Sequence, residues 1–308
     1  MARMTDTITL AQLSDVHLAP VRGLALRHLN VKRGLGYLNW QRGRRHVHRR
    51  DALDLVVADL KAQRPDHIAV TGDLINLGLP AEFEAAHAWL EGLGAPHSVT
   101  VIPGNHDIYT HLGSDPGVER WAEFMRADAW GARLSGAGMR FPFVRRVGPA
   151  ALIALNSAVP TPPFVAAGEL GERQIVALSE ILKRTRAEGL VRVVLIHHPP
   201  LPGQAPPRRA LRDAAELERV LAQEGAELIL HGHNHRDDLL DFEWRSGRIP
   251  IVGIASGSAA RGHKGEHLGR YNLVRIARVG GAPHIELTTR GLDPSVSRIE
   301  QIGRKLLT

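Results

Sequence analysis

Residues 98–107 read SVTVIPGNHD. The run 98–102 is short, apolar and β-branched, the pattern of a buried strand, and Pro103-Gly104 punctuates its end. A turn at that point needs only residues that tolerate φ > 0, which Gly104 and Asn105 do. His106 and Asp107 exceed that requirement, so the end of this strand carries an amide oxygen, an imidazole and a carboxylate together.

The same juxtaposition recurs along the chain. Strand 8–13 leads into Asp15-Val16-His17, strand 67–70 into Gly72-Asp73, strand 191–196 into His197-His198, and strand 226–230 into His231-Gly232-His233-Asn234-His235. Between them lie stretches with helical apolar periodicity at 51–63, 80–93, 172–188 and near 212–223, with a shorter one at 118–127. Strand and helix alternate, which predicts an α/β fold. Further strands are expected at FVRRV (143–147) and ALIALN (151–156). Beyond residue 238 come the consecutive runs LLDFEW, IPIVGIA, RYNLVRI and HIELTT, and residues 238–308 are read as closing strands of a second, at least partly antiparallel sheet.

Ligands of open α/β sheets bind outside the carboxyl ends of the strands, so the five polar clusters are expected to meet at one place. Residues i and i+2 of extended backbone point the same way, which would aim Asp15 with His17, and His233 with His235, into that site. Gly72, Gly104 and Gly232 would let backbone approach it closely.

Composition narrows the chemistry. The chain has 308 residues, 44% hydrophobic and 23% charged, with no linker-like tract, and one domain spanning 1–308 is expected. It has no cysteine, which removes disulfide frameworks and thiolate chemistry and leaves His, Asp, Glu and Asn as metal donors. The opening ARMTDTITLAQL lacks the pattern of a secretory signal, so a cytoplasmic protein is expected, with a peripheral position at the inner membrane face as a variant. A formal charge of +7 favours anionic partners without choosing among them.

The donors Asp15, His17, Asp73, Asn105, His197, His233 and His235 suit first-row divalent ions, with Mn, Fe, Zn, Ni and Co not distinguished, and suit calcium poorly. Their number exceeds the needs of one four-coordinate ion. Two divalent or mixed-valence ions sharing one carboxylate fit better; in such pairs, about 3.5–4 Å apart, a bridging hydroxide attacks phosphorus in line.

In their order, the motifs DVH, GD, GNHD, HHPP and GHNH resemble the calcineurin-like metallophosphoesterase superfamily, in particular bacterial members akin to the class III cyclic-nucleotide phosphodiesterases. The resemblance implies a four-layer αββα sandwich with two mixed β-sheets and a dinuclear site at the strand ends. It assigns one metal to Asp15, His17, Asp73 and His235, the other to Asp73, Asn105, His197 and His233, with Asp73 as the bridge. It also implies that His106 stays off the metals and faces the leaving group or a phosphoryl oxygen, where it can act as a hydrogen-bond donor or general acid; Asp107 is expected to fix the turn or orient a neighbour. The implied activity is hydrolysis of P–O bonds in phosphate esters, with diesters ahead of monoesters. The alternatives are a phosphomonoesterase or lipid-linked phosphate or pyrophosphate hydrolase, a nuclease, and a non-catalytic scaffold of the same fold. No helical or capping domain that would seat duplex DNA is evident in the sequence after residue 235, so nucleic acid is expected to be the less favoured partner, and filled ligand positions count against the scaffold.

Other polar residues read as structural. His198, His231 and Asn234 are expected to support turns, the SGS at 256–258 to form an ordinary turn, and His46, His48, His263 and His267 to be solvated. Residues 21–50 stand apart, with nine Lys/Arg alongside Leu24, Leu26, Leu29, Leu35, Tyr37, Leu38 and Trp40. They read either as a locally packed basic surface insertion or as an interfacial flap that meets anionic lipid or a long anionic substrate.

Overall fold

The alternating apolar strands assemble into two six-stranded mixed sheets in the computed structural model, which describes residues 7–111, 115–134, 140–245, 247–262 and 265–308. The first sheet contains β1 (Thr7–Leu13), β2 (His67–Val70), β3 (Val99–Val101), β10 (Arg270–Val279), β11 (Ala282–Leu292) and β12 (Ile299–Leu306), in the order β12-β11-β10-β1-β2-β3. The second contains β4 (Phe143–Val147), β5 (Ala150–Ala154), β6 (Val191–Leu195), β7 (Leu228–His231), β8 (Asp238–Trp244) and β9 (Gly247–Gly253), in the order β4-β5-β6-β7-β9-β8. At the centre of each sheet the strands run parallel: β1, β2 and β3 in one, β5, β6, β7 and β9 in the other.

The two-residue period of a strand sorts its side chains between two cores. Ala150, Leu152 and Ala154 of β5, with Val193 and Leu195 of β6, join the core shared with Leu10, Leu13, Val70 and Val101 of the other sheet. Their neighbours Ala151, Ile153 and Val194 pack instead with Leu178, Ile181 and Leu182 of helix Glu172–Ala187 and Leu217 and Leu221 of helix Ala214–Glu224. Helices Arg50–Ala62 and Pro80–Leu93 bury Leu53, Val56, Leu60, Phe83 and Leu90 on the first sheet's side. Each fully buried Leu or Val contributes ~1.5–3 kcal/mol. The layers are therefore helix, sheet, sheet, helix.

The closing strands divide differently from the sequence expectation. Among the described residues only β8 and β9 extend the second sheet; β10 returns antiparallel to β1, pairing Leu10 with Val274, and carries β11 and β12 outward by hairpins. The backbone of β10 pairs the edge of β1 from Thr7 to Gln12, which a continuation of the second sheet would have left open, and Tyr271, Val274 and Ile276 are buried there. The 118–127 stretch forms a 3₁₀ segment, Gly117–Phe124, and β12 and helix Val31–Asn39 add to the elements read above. Among the described residues no helix is long and apolar enough to cross a membrane.

Candidate metal centre

The ends of β2, β3 and β7 place Asp73, Asn105, His106, His233 and His235 on the wall of one cavity of ≈ 450 Å³, and Asp15 and His17 after β1 and His197 after β6 pack against those residues. Two turns are zipped together by backbone bonds, with Asp15 N–H donating to Gly72 O at 2.9 Å and His17 N–H to Asp73 O at 3.0 Å. The donors are aimed by left-handed backbone rather than by extended i, i+2 geometry. Asp15, His17, Asp73, His233 and His235 have φ of 52°, 40°, 56°, 70° and 53°. β1 ends at Leu13 and β7 at His231, so the alternation argument applies to neither pair.

Asp107 fixes the central turn. Its Oδ2 accepts the N–H groups of Asp73 and Gly104, both at 2.8 Å, and its Oδ1 those of Leu74 at 2.9 Å and Ile75 at 3.2 Å. Gly72, at φ 97°, has no room for a side chain: a Cβ would lie 2.6 Å from His197 Nδ1 and 2.7 Å from Gly104 N.

All seven expected donors are buried. Asp73 Oδ2 lies 3.5 Å from His197 Nε2 and 3.8 Å from His17 Nε2. On one side His235 Nε2 stands 3.2 Å from Asp15 Oδ1 and 3.4 Å from His17 Nε2. On the other, Asn105 Oδ1 is 3.2 Å from His197 Nε2, and the His233 ring is centred 5.1 Å from that of His197. The outer ring nitrogens are engaged: His17 Nδ1 donates to Ile75 O, His197 Nδ1 to Thr71 O and His233 Nε2 to Arg209 O. That anchors each ring, and with a cation in place of a proton the inner nitrogen would be a lone-pair donor.

The fit to metal follows from this packing. Asp73, His197 and His233 form one group with ligand atoms in mutual reach; His17 joins His48 and His235 in a second and Asp73 and His106 in a third. Among the described residues, buried Asp15 Oδ1 has the His235 imidazole at 3.2 Å and no hydrogen bond of good geometry. Burial opposes ionisation of Asp15 and Asp73, yet the imidazoles of His235 and His197 hold both carboxyls below the usual range. Burial likewise opposes protonation of His197 and His235, but the carboxylates Asp73 and Asp15 push each up to about 9. Burial, with Arg44 beside it, drives His17 well down. A cluster in which imidazoles share protons with buried carboxylates is one that cations can replace.

Residues outside the motifs complete the cavity. Arg44, from the 21–50 segment, donates to His106 Nε2 at 2.9 Å and to His17 Nε2 at 3.0 Å. His106 Nδ1 donates to Asn76 O at 2.5 Å, and its ring stacks on Tyr109. Burial and the adjacent guanidinium bring His106 down to about 4. His48, expected to be solvated, is buried; its Nδ1 meets Ser258 Oγ at 2.9 Å and Ser256 Oγ at 3.2 Å, and its ring centre lies 4.4 Å from that of His17. The backbone bridge between His48 and Ala259 draws it inward. Ser256 Oγ also donates to Asp15 O, so the SGS turn supports the site. His198 bonds Ser157 and Ala166, His231 bonds Gly232 O, and Asn234 donates to Gln204 O, as expected of supports. His46 is exposed, His267 is partly exposed beside Asp237, and His263 lies outside the described residues.

A model of the calcineurin-like phosphoesterase family matches residues 8–237, the span that holds every one of these donors. The chain belongs to that family. Among curated relatives, a probable cyclic nucleotide phosphodiesterase of Synechococcus is 28% identical over 75% of this chain and 74% of its own length. A cAMP/cGMP dual specificity phosphodiesterase of Mycobacterium tuberculosis is 29% identical over 56% of this chain and 49% of its own. The crystal structure of a dimetal phosphatase from Danio rerio superposes with a TM-score of 0.61 over 96% of this chain and 98% of that one; at 14% identity it bears on the fold alone. As a calcineurin-like phosphoesterase with its donor cluster filled, the protein is a metal-dependent phosphoester hydrolase.

Proposed function

We propose that the protein is a dinuclear phosphodiesterase. Asp15, His17, Asp73 and His235 would hold one ion and Asp73, Asn105, His197 and His233 the other, with Asp73 shared. The observation that carries this reading is the position of Asp73 Oδ2 between the inner nitrogens of His17 and His197. The names of the cyanobacterial and mycobacterial relatives favour diesters over monoesters.

Two divalent ions held there supply Lewis acidity and an activated water at neutral pH. The chain's own groups do the rest. Arg44, and Arg209 at the cavity wall, place positive charge where the phosphoryl oxygens would sit. Asp73 Oδ1, by accepting the His106 N–H at 2.7 Å, fixes the backbone that carries the imidazole. In hydrolysis an oxygen of water bonds to phosphorus, the P–O bond to the leaving group breaks, and the departing alkoxide takes a proton. His106 Nε2, facing the cavity, is the group placed to give it once an anionic substrate engages Arg44 and raises the basicity of the imidazole.

The test is a substrate panel on the manganese-reconstituted full chain, comparing bis(p-nitrophenyl) phosphate with p-nitrophenyl phosphate. Faster turnover of the diester is expected; a preference for the monoester would replace this reading with a phosphomonoesterase.

A further inference from the structure

Helix Val31–Asn39 is amphipathic in the wrong sense for a helix packed on a protein core. Its charged residues point inward. Lys32 Nζ donates to Tyr109 O, Thr161 O and Thr161 Oγ1 at 2.8–2.9 Å, and buried Arg33 donates to Leu77 O and His28 O. Gly36 permits this approach, since a Cβ there would lie 2.4 Å from Tyr109 Oη and 2.8 Å from Leu77 Cδ2. Its apolar residues point outward: Val31 is 72%, Leu35 37% and Leu38 47% exposed, and the preceding turn adds Leu26 at 86% and Leu29 at 45%. Clustered apolar exposure of this kind marks a contact surface.

The face opens inward as well. Leu35 and Leu38, with Trp40, Tyr109, Phe164 and Val165, line a second cavity of ≈ 600 Å³. It shares Arg44, Asn105 and His106 with the donor cavity, so an apolar passage leads from the exposed leucines to the donors. Charge identifies the occupant. Residues 16–50 contain nine Lys/Arg and no Asp or Glu, and Arg22, Arg27, Arg42 and Arg45 are exposed around the apolar face. A second copy would oppose this cationic face with itself. An anionic bilayer complements it, taking the leucines into its acyl boundary and the arginines at its headgroups.

We propose that residues 21–50 dock the protein on anionic membranes through this outward apolar face, and that the second cavity takes the apolar chain of a membrane-resident phosphoester. The identity of the substrate rests on the phosphodiesterase reading; the docking does not. A small soluble diester would fill the donor cavity alone and give no reason for a leucine-lined passage ending in exposed leucines.

The experiment uses the manganese-reconstituted full chain with two readouts. In sedimentation with phosphatidylcholine vesicles, with and without phosphatidylglycerol, binding is expected only to the anionic vesicles. Leu26→Asp/Val31→Asp, at positions that line neither cavity, should weaken it about tenfold or more while leaving bis(p-nitrophenyl) phosphate turnover unchanged, which also shows that the variant folds. With p-nitrophenyl alkyl phosphates from methyl to octyl, kcat/KM should rise about tenfold or more, because each methylene buried in the passage adds to binding. A protein that ignores both vesicle types, a double variant that still binds, or a dimer that the double variant splits would overturn the docking face. A kcat/KM flat across the alkyl series would overturn the chain site. Failure of the phosphodiesterase reading looks different: no turnover of any of these diesters, with vesicle binding intact.

Discussion

Arg44→Met removes a cation that the sequence motifs do not include and that the fold places against two of them. Arg44 is half-buried on the cavity wall, and its hydrogen bonds go to neutral acceptors, His106 Nε2 at 2.9 Å and His17 Nε2 at 3.0 Å. Hydrogen bonds from a charged donor are worth roughly 1.5–3 kcal/mol each, and a phosphoryl oxygen is a stronger acceptor than an imidazole. The stabilisation is therefore held in reserve for the anionic transition state. Loss of one such donor costs about 10²–10³ in kcat. We expect that fall in steady-state turnover of bis(p-nitrophenyl) phosphate, with metal content by mass spectrometry unchanged. Folding stability should change little, because a partly desolvated charge is removed along with its bonds. The variant should also release His106 upward from about 4, since burial remains but the neighbouring charge is gone. Turnover within about threefold of the parent would refute the assignment. If tighter metal binding accompanied that result, Arg44 would be a competitor of the metal and not a partner of the substrate.

Asp73→Asn should abolish turnover and lower bound metal, because the Asp73 carboxylate stands between both imidazole groups; full metal content with activity would break the shared-ligand scheme. His106→Ala should keep its metal and lose about 10²–10⁴ in rate on substrates with poor leaving groups, with much less loss on p-nitrophenyl esters, whose leaving group needs no proton; loss of metal would contradict it. Asp107→Asn replaces one acceptor oxygen of a carboxylate that takes four backbone N–H groups, and should cost about 1–3 kcal/mol in denaturant melts; an unchanged midpoint would argue against its hold on the turn. His67, buried with Arg145 nearby, is held down at about 3, so the unfolded chain binds the extra proton between that value and about 6.5. Its contribution is complete above the unfolded value and is lost as pH falls, by up to about 1.4 kcal/mol per unit. His67→Gln should flatten stability against pH over that interval, and an unaltered slope would exclude it.

What could be read in the sequence was whatever one strand carries by itself. Runs such as VRVVLI and AELIL announce strands as short apolar stretches, the first rich in β-branched residues, and donors placed directly after them announce a site whatever the path between. What escaped depends on distant partners. His48 sits in a basic run that looks solvated, and Ser256, Ser258 and the backbone of Ala259, more than two hundred residues away, draw it inside. Arg44 looks like one more surface cation until the helix before it turns its charges inward. Strand β12, IEQIGRKL, is largely exposed and polar, and it exists because its backbone pairs with β11 from Ile299 to Leu306. Helix Val31–Asn39 has a strong apolar stripe, but periodicity says only that a stripe exists, and here it faces outward.

The backbone at the donors says why the five strand ends converge. Of the eight non-glycine residues with positive φ among the described residues, five are candidate ligands. Left-handed conformations cost roughly 1–2 kcal/mol per residue, somewhat less for Asp, so the site carries a strain of the same order as the net stability of a domain. Evenly distributed turns would not place it there. A chain leaving a strand in αL reverses at once, so a side chain that would have continued outward is brought back across the strand end toward its neighbours. The surrounding bonds hold that reversal: Asp107 on the Asp73 turn, Ser256 on Asp15 O, and the paired bonds between the Asp15 and Asp73 turns. Each of these partners comes from a different strand end. The strain is thus shared among the ends of three neighbouring strands of the first sheet, with Ser256 after β9 tying them to the second, which couples the donor cluster to the docking of the two sheets.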